Sequence, residues 1–136
     1  MKFDTKIAIV VRDDLASWQR LNVTAFLASG VAGGFGEVIG KPYEDASGNQ
    51  YLPLFRQPVL VYAGDADALT RTHQRALSRE LVTAVYTEEL FTTGNDDDNR
   101  AAVRDVPAGE LRLAGLAAYG PRNGIDRVFK GLTLHP

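Results

Sequence analysis

The sequence predicts an α/β domain, a three-layer sandwich around a mostly parallel four-stranded sheet with a small hairpin inserted. Three observations predict it. Apolar runs of strand length recur at Lys6–Arg12, Pro58–Ala63 and Leu81–Thr87, the pattern of strands covered on both faces. Stretches of helical spacing separate them, and alternation of strand and helix favours parallel pairing through crossovers. No repeat, linker or shift in composition divides the chain, so residues 1–136 are read as a single domain.

The first strand, Lys6–Arg12, ends at Asp13 and Asp14, either of which suits the cap of a helix over 15–31. On a helical wheel, Leu15, Trp18, Leu21, Ala25 and Phe26 form an apolar arc. Ser17, Arg20 and Thr24 lie opposite. The run Gly33-Gly34-Phe35-Gly36 ends this helix, as glycine does past a C-terminus. Residues 37–57 read as an excursion containing a short hairpin with Ser47 to Asn49 at its tip, confined to an edge by Pro53 and Pro58.

After the second strand, Asp65 and Asp67 suit a helix start, and Arg75 and Arg79 suit its end. Its inner stripe is expected to hold Leu69, Ala76 and Leu77, with His73 a packed rim residue. The third strand is Leu81–Thr87. Residues 88–109 are read as an irregular polar loop, mobile and dispensable around Asp96-Asp97-Asp98. Leu111–Tyr119 is the fourth strand. Gly120-Pro121 then opens a last helix with Ile125, Val128, Phe129 and Leu132 at helical spacing.

Composition narrows the function classes. The absence of cysteine excludes a disulfide scaffold, a thiolate metal site and a cysteine nucleophile. With 15 basic against 17 acidic residues, the net charge of −2 disfavours a nucleic-acid partner, because phosphate neutralisation supplies most of that affinity. The opening Met-Lys-Phe-Asp-Thr-Lys carries no apolar leader, and the longest apolar run, Ile7–Val11, is too short for a bilayer. A cytoplasmic protein without a membrane partner is expected.

The run Val10-Val11-Arg12-Asp13-Asp14-Leu15 resembles the opening of the peptidyl-tRNA hydrolase II family, where a strand ends in valine-arginine-x-aspartate-leucine. The finish, Leu116-Ala-Ala-Tyr-Gly-Pro121 followed by Asp126-Arg-Val-Phe-Lys-Gly-Leu-Thr-Leu134, is similar to that family's last strand, glycine-proline turn and closing helix. With Asn22 in the first helix and the tyrosine-rich hairpin, the whole chain most resembles the bacterial relatives catalogued as DUF2000. The resemblance implies a peptidyl-tRNA hydrolase II-like fold and, since that fold's relatives commonly pair, a homodimer. It does not carry the activity. The hydrolase's glycine-lysine-glycine-lysine stretch is here Trp18-Gln19-Arg20-Leu21, and Ala25 and Ala28 stand where its glutamine and histidine would fall. Asp14 matches, Arg20 stands one position early for a lysine, and Thr87-Glu88-Glu89 replaces a later family loop.

Ligands of open parallel sheets gather beyond the carboxyl ends of the strands. That edge brings together Arg12-Asp13-Asp14, Gly64-Asp65 and Thr87-Glu88-Glu89. Asp14 and Glu88 are the candidate acid/base pair, if their environments separate their pKa values. Otherwise the aspartates are helix caps and the glutamates are solvated. Arg12, Asn22, Lys41 and Thr87 are candidate ligand contacts. Asn22, on the apolar arc between Trp18 and Phe26, needs partners, whether structural or in a pocket. Two histidines without cysteine make no transition-metal site, and Asp96-Asp97-Asp98 lacks the glycine and glutamate spacing of a calcium loop. The glycines at 33–36 follow a helix rather than a strand, so no nucleotide fingerprint applies and no cofactor is expected.

The function expected is a ligand-binding or accessory domain with a pocket at the C-terminal ends of the strands, taking a small molecule or peptide. The alternatives are a hydrolase with a rebuilt active site and a structural homo-oligomer module.

Overall fold

The computed structural model describes residues 2–136. The chain forms β1 (Thr5–Arg12), α1 (Ser17–Gly34), the hairpin β2 (Tyr43–Glu44) and β3 (Gln50–Tyr51), then β4 (Val59–Gly64) and α2 (Ala66–Ser78). It continues through β5 (Thr83–Thr87), α3 (Asp96–Arg104), β6 (Leu113–Pro121), α4 (Arg122–Val128) and β7 (Thr133–Leu134).

The main sheet has five strands in the order β5-β6-β1-β4-β7. Only β1 with β4 is parallel; β1 with β6, β5 with β6 and β4 with β7 are antiparallel. This corrects the expectation of a mostly parallel four-stranded sheet. Two features explain the difference. The α1 crossover does make β4 parallel to β1, as alternation requires. The segment after β5, however, returns the chain on the same side of the sheet, so β6 runs back between β5 and β1. The fifth strand, β7, is two residues long and too short to leave a periodic signal.

The three layers are as expected. Odd-numbered residues of β1 (Ile7, Ile9, Val11) pack under α1 with Val23, Leu27 and Val31. Even-numbered ones (Ala8, Val10) pack with Leu69 and Ala76 of α2 and with Ile125 and Val128 of α4. Within α2, Leu77 is exposed, while Thr72 and His73 take the inner positions. Asp65 caps this helix, accepting from Ala68 N at 2.8 Å.

Three further expectations are corrected. Neither Asp13 nor Asp14 caps α1. Its N-cap is Ala16, whose backbone N–H donates to Gln19 Oε1 at 3.0 Å. The arc of Trp18, Leu21 and Phe26 faces outward, with 62, 72 and 52% of each exposed. Apolar residues occupy both sides of α1, so periodicity alone does not say which side faces the sheet. The choice is steric: a Cβ added to Gly115 of β6 would lie 2.6 Å from Val23 Cγ1 and 2.8 Å from Leu27 Cδ1. Compact aliphatic residues fit that approach. Finally, residues 96–104 are a helix, not a loop. Asn95 caps it by accepting from Asp98 N at 2.9 Å, and Arg100 pairs with Asp96 and Asp97 within its own turns.

The expected hairpin is present as a separate two-stranded sheet. Asp45 organises its tip, accepting from the backbone of Ser47 (2.9 Å) and Asn49 (3.0 Å) and from the Tyr51 hydroxyl (2.6 Å). Gly48 supplies the positive φ of the turn, 87°. The Tyr51 hydrogen bond is the main reason that the Asp45 carboxyl is lowered to about 2.

Candidate functional site

Because β1, β4 and β5 all point the same way, their carboxyl ends share one side of the sheet, and four of the expected residues meet or abut there. Arg12 Nε donates to Asp14 Oδ1 at 2.6 Å, and Arg12 Nη1 donates to Glu88 Oε1 at 2.5 Å. Arg112 extends the network, with Nη1 3.6 Å from Glu88 Oε2 and Nη2 2.8 Å from Glu89 Oε1. Arg12 is largely buried, whereas Asp14 is mostly exposed. The Arg12 hydrogen bond holds Asp14 below the usual carboxylate range, and Arg112 does the same for Glu89. Thr87 is buried at the end of β5, and its Oγ1 has no hydrogen-bond partner among the described residues. Lys41 is apart from this network: it is exposed in the segment before β2 and makes no ion pair among the described residues. Arg20, one of the family-like positions, clamps the β1–α1 turn through Leu15 O (2.9 Å) and Asp13 O (2.6 Å).

Asn22 joins a different feature. Its Nδ2 donates to the Tyr86 hydroxyl at 3.2 Å. The buried Tyr86 ring packs 5.7 Å from Phe26 and 5.0 Å from Phe91, and Phe91 packs 5.9 Å from Trp18. Burial raises the Tyr86 phenol, and the Asn22 hydrogen bond partly offsets that by favouring the phenolate.

Beside this aromatic cluster runs a groove of about 580 Å³ between α1, β5 and α3. Phe26, Leu27, Ala84, Tyr86, Leu90 and Val103 give it an apolar lining, and Asp96, Asn99, Arg100 and Arg104 contribute its polar groups. A second hollow of about 440 Å³ continues from Gly30 and Ala84 toward Val82, Phe35 and Tyr119. At the junction α1 lies close on β5: a Cβ added to Gly30 would be 2.9 Å from Ala84 Cβ. A third hollow, of about 370 Å³, lies on the other flank of α1, by Leu21 and His135. Sequence reasoning missed Tyr86, Phe91, Arg112 and all of α3. The last had a signal: an asparagine cap, three aspartates in the first turn and Arg104 in the last match the start and stop pattern of a helix.

Among the described residues, no three His, Asp or Glu side chains are grouped to hold a metal ion. Among them too, no helix is long and apolar enough to cross a membrane.

Fold and site together define a mixed-sheet α/β domain with an ion-paired cluster at the strand ends and an apolar groove along one edge strand. The family model described as "Protein of unknown function (DUF2000)" matches residues 5–136, and the chain belongs to that family. No curated protein matches it. It is similar to a solved structure, the protein of unknown function Atu0240 from Agrobacterium tumefaciens strain C58, at 47% identity. That match covers 99% of this chain and 100% of the other, with a TM-score of 0.97.

The Asn22–Tyr86 bond predicts two coupled effects. Asn22→Ala should lower stability by about 0.5–1.5 kcal/mol, the net worth of one hydrogen bond. It should also raise the Tyr86 titration further. A thermal melt and an ultraviolet phenolate titration check both; a variant unchanged in both would show that the bond carries nothing.

Proposed function

We propose that the protein is a ligand-binding domain whose site is the groove between α1, β5 and α3, at the carboxyl end of β5. The observation that supports this is the pairing of an apolar lining with one uncommitted cation. Arg104 lines the groove and forms no ion pair among the described residues, whereas Arg100 beside it is paired with Asp96 and Asp97. A concave apolar site with few polar groups suits a small ligand or peptide with an apolar body. Arg104 suits one bearing an anionic group, by a charge-assisted hydrogen bond. Asn22 is a positioning residue in this reading: it holds Tyr86, which forms part of the lining.

The strand-end opening at Arg12–Asp14 and the glycine-proline finish support a peptidyl-tRNA hydrolase II-like reading of the fold. A hydrolase rebuilt around Asp14, Asn22 and Glu88 draws less support. Arg12 is paired with both carboxylates, and an Asp14 held ionised is no general acid near neutral pH. Within the binding reading, Arg12, Asp14, Glu88 and Thr87 form the framework at the strand ends. Lys41 is set aside as a ligand contact.

The groove reading is tested with anilinonaphthalene sulfonate, an apolar body carrying one anion. Saturable binding is expected, followed through dye fluorescence. Arg104→Glu should weaken it by about 10-fold, the loss of one charge-assisted hydrogen bond. Phe26→Ser should weaken it as well. Binding indifferent to both substitutions would place the dye elsewhere and remove the support.

Pairing of two copies is a second reading, favoured by the outer side of α1. Trp18, Leu21 and Phe26 stand exposed there, and large apolar side chains grouped on a surface mark interaction sites. Sedimentation at micromolar concentration should find a dimer that Leu21→Glu converts to monomer. A monomeric parent would end this reading.

A further inference from the structure

The strand β5 forms an edge of the main sheet, paired on one side with β6 and on the other with nothing. No backbone hydrogen bond from 83–86 reaches any segment other than β6 among the described residues. Edge strands of soluble proteins are ordinarily blunted by charge, proline, a bulge or a cover. Thr83-Ala-Val-Tyr-Thr87 has neither charge nor proline, and its one irregularity lies at the far end, between Tyr86 and Thr87. The opposite edge differs: β7, Thr133–Leu134, is two residues long. The first hollow described above lies along the free side of β5, whereas the second lies over the sheet face, lined by Ala117, Ala118 and Tyr119 of β6 as well as by β5.

We propose that β5 is a receptor strand: an extended peptide adds to its free edge through backbone hydrogen bonds, seating an apolar side chain in the first hollow and an acidic group at Arg104. This rests on the groove reading and names its ligand. The geometry argues for a strand. Side chains two positions apart on one face of a strand are separated by about 6.6–6.8 Å, so an apolar side chain in the first hollow and an acidic one two positions along face the same lining, to which Arg104 belongs. Main-chain pairing would supply affinity, and the first hollow with Arg104 would supply specificity, as in other cases of strand addition. A compact small molecule would fill one hollow and leave the row of backbone groups unpaired. A second copy docking through its own β5 would bring Val82 to Thr87, a run without an acidic side chain.

The test uses a fluorescein-labelled pool of pentapeptides with Thr at the first, third and fifth positions, Val, Leu or Phe at the second, and Glu at the fourth. Anisotropy measures binding to the full chain. Two backbone-methylated versions of the best binder follow, one blocking the amides of one strand edge and one those of the other. Strand addition predicts that one version loses at least about 10-fold in affinity while the other binds as before, because a strand pairs through a single edge. It predicts slowed exchange of alternate β5 amides on binding, and weaker binding to Arg104→Glu and to Val82→Lys, both changes at exposed positions. Equal binding of the two methylated versions, still sensitive to Phe26→Ser, would overturn strand addition and leave the groove reading standing. Binding by no member of the pool would overturn the proposal, and dye binding would then decide the groove reading separately. Protection of β5 amides that grows with protein concentration alone would assign the edge to a second copy and overturn it as well.

Discussion

The approach of α1 to the middle of the sheet is the constraint on which the other features rest. At Gly115 the backbone of β6 lies so near Val23 and Leu27 that no side chain fits between them, and at Gly30 the helix also comes close to Ala84 of β5, 2.9 Å from an added Cβ. Two glycines, one on the strand and one on the helix, therefore set the height of α1 above the sheet and the line along which it runs. Protein interiors are packed densely enough that such a contact has little room to relax. The outward direction of Trp18, Leu21 and Phe26 follows from it. So does the shape of the groove, whose two chambers are the spaces on either side of the Gly30 contact.

With the centre packed in this way, chemistry is left to the margins, and the two margins differ. At the strand ends the charges satisfy one another. Arg12 bridges Asp14 and Glu88, and Arg112 bridges Glu88 and Glu89. Exposed ion pairs of this kind add little stability each, but the largely buried Arg12 needs its partners, because an unpaired buried charge is costly. Along β5 the balance is reversed. Among the described residues, apolar surface, backbone hydrogen-bonding groups and the Arg104 guanidinium stand without partners in one place. Binding is favoured where groups are unsatisfied, which is why the groove, rather than the ion-paired cluster, is read as the site.

Much of this was legible in the sequence, and the parts that were not have physical reasons. Buried strands announced themselves as apolar runs, and Asp65 before α2 acted as the cap its position suggested. The meeting of Arg12 with Asp14 and Glu88 followed from placing strand ends together. Strand direction was not legible, because it depends on which end of the sheet a connection returns to, and the charges that start α3 are equally those of a polar loop. The inner side of α1 was not legible either, since both sides are apolar and a glycine on another strand makes the choice. Asn22 was found for a reason that only partly held: it lies between Trp18 and Phe26 as the wheel requires, yet that side faces the aromatic cluster at the groove's margin instead of the sheet's centre. Its partner, Tyr86, lies 64 positions away, a distance at which local pattern carries no information.

The central claim is that the close contact at Gly115 holds α1 in place and so defines the groove. Urea denaturation of Gly115→Ala beside Gly33→Ala tests it most directly. Both substitutions add one methyl group, but nothing lies within 4 Å of the new Cβ at Gly33. Overpacking predicts a loss of about 1–3 kcal/mol for Gly115→Ala. The helical position predicts that Gly33→Ala is neutral or stabilising by up to about 1 kcal/mol. Equal stability of the two variants would contradict the account.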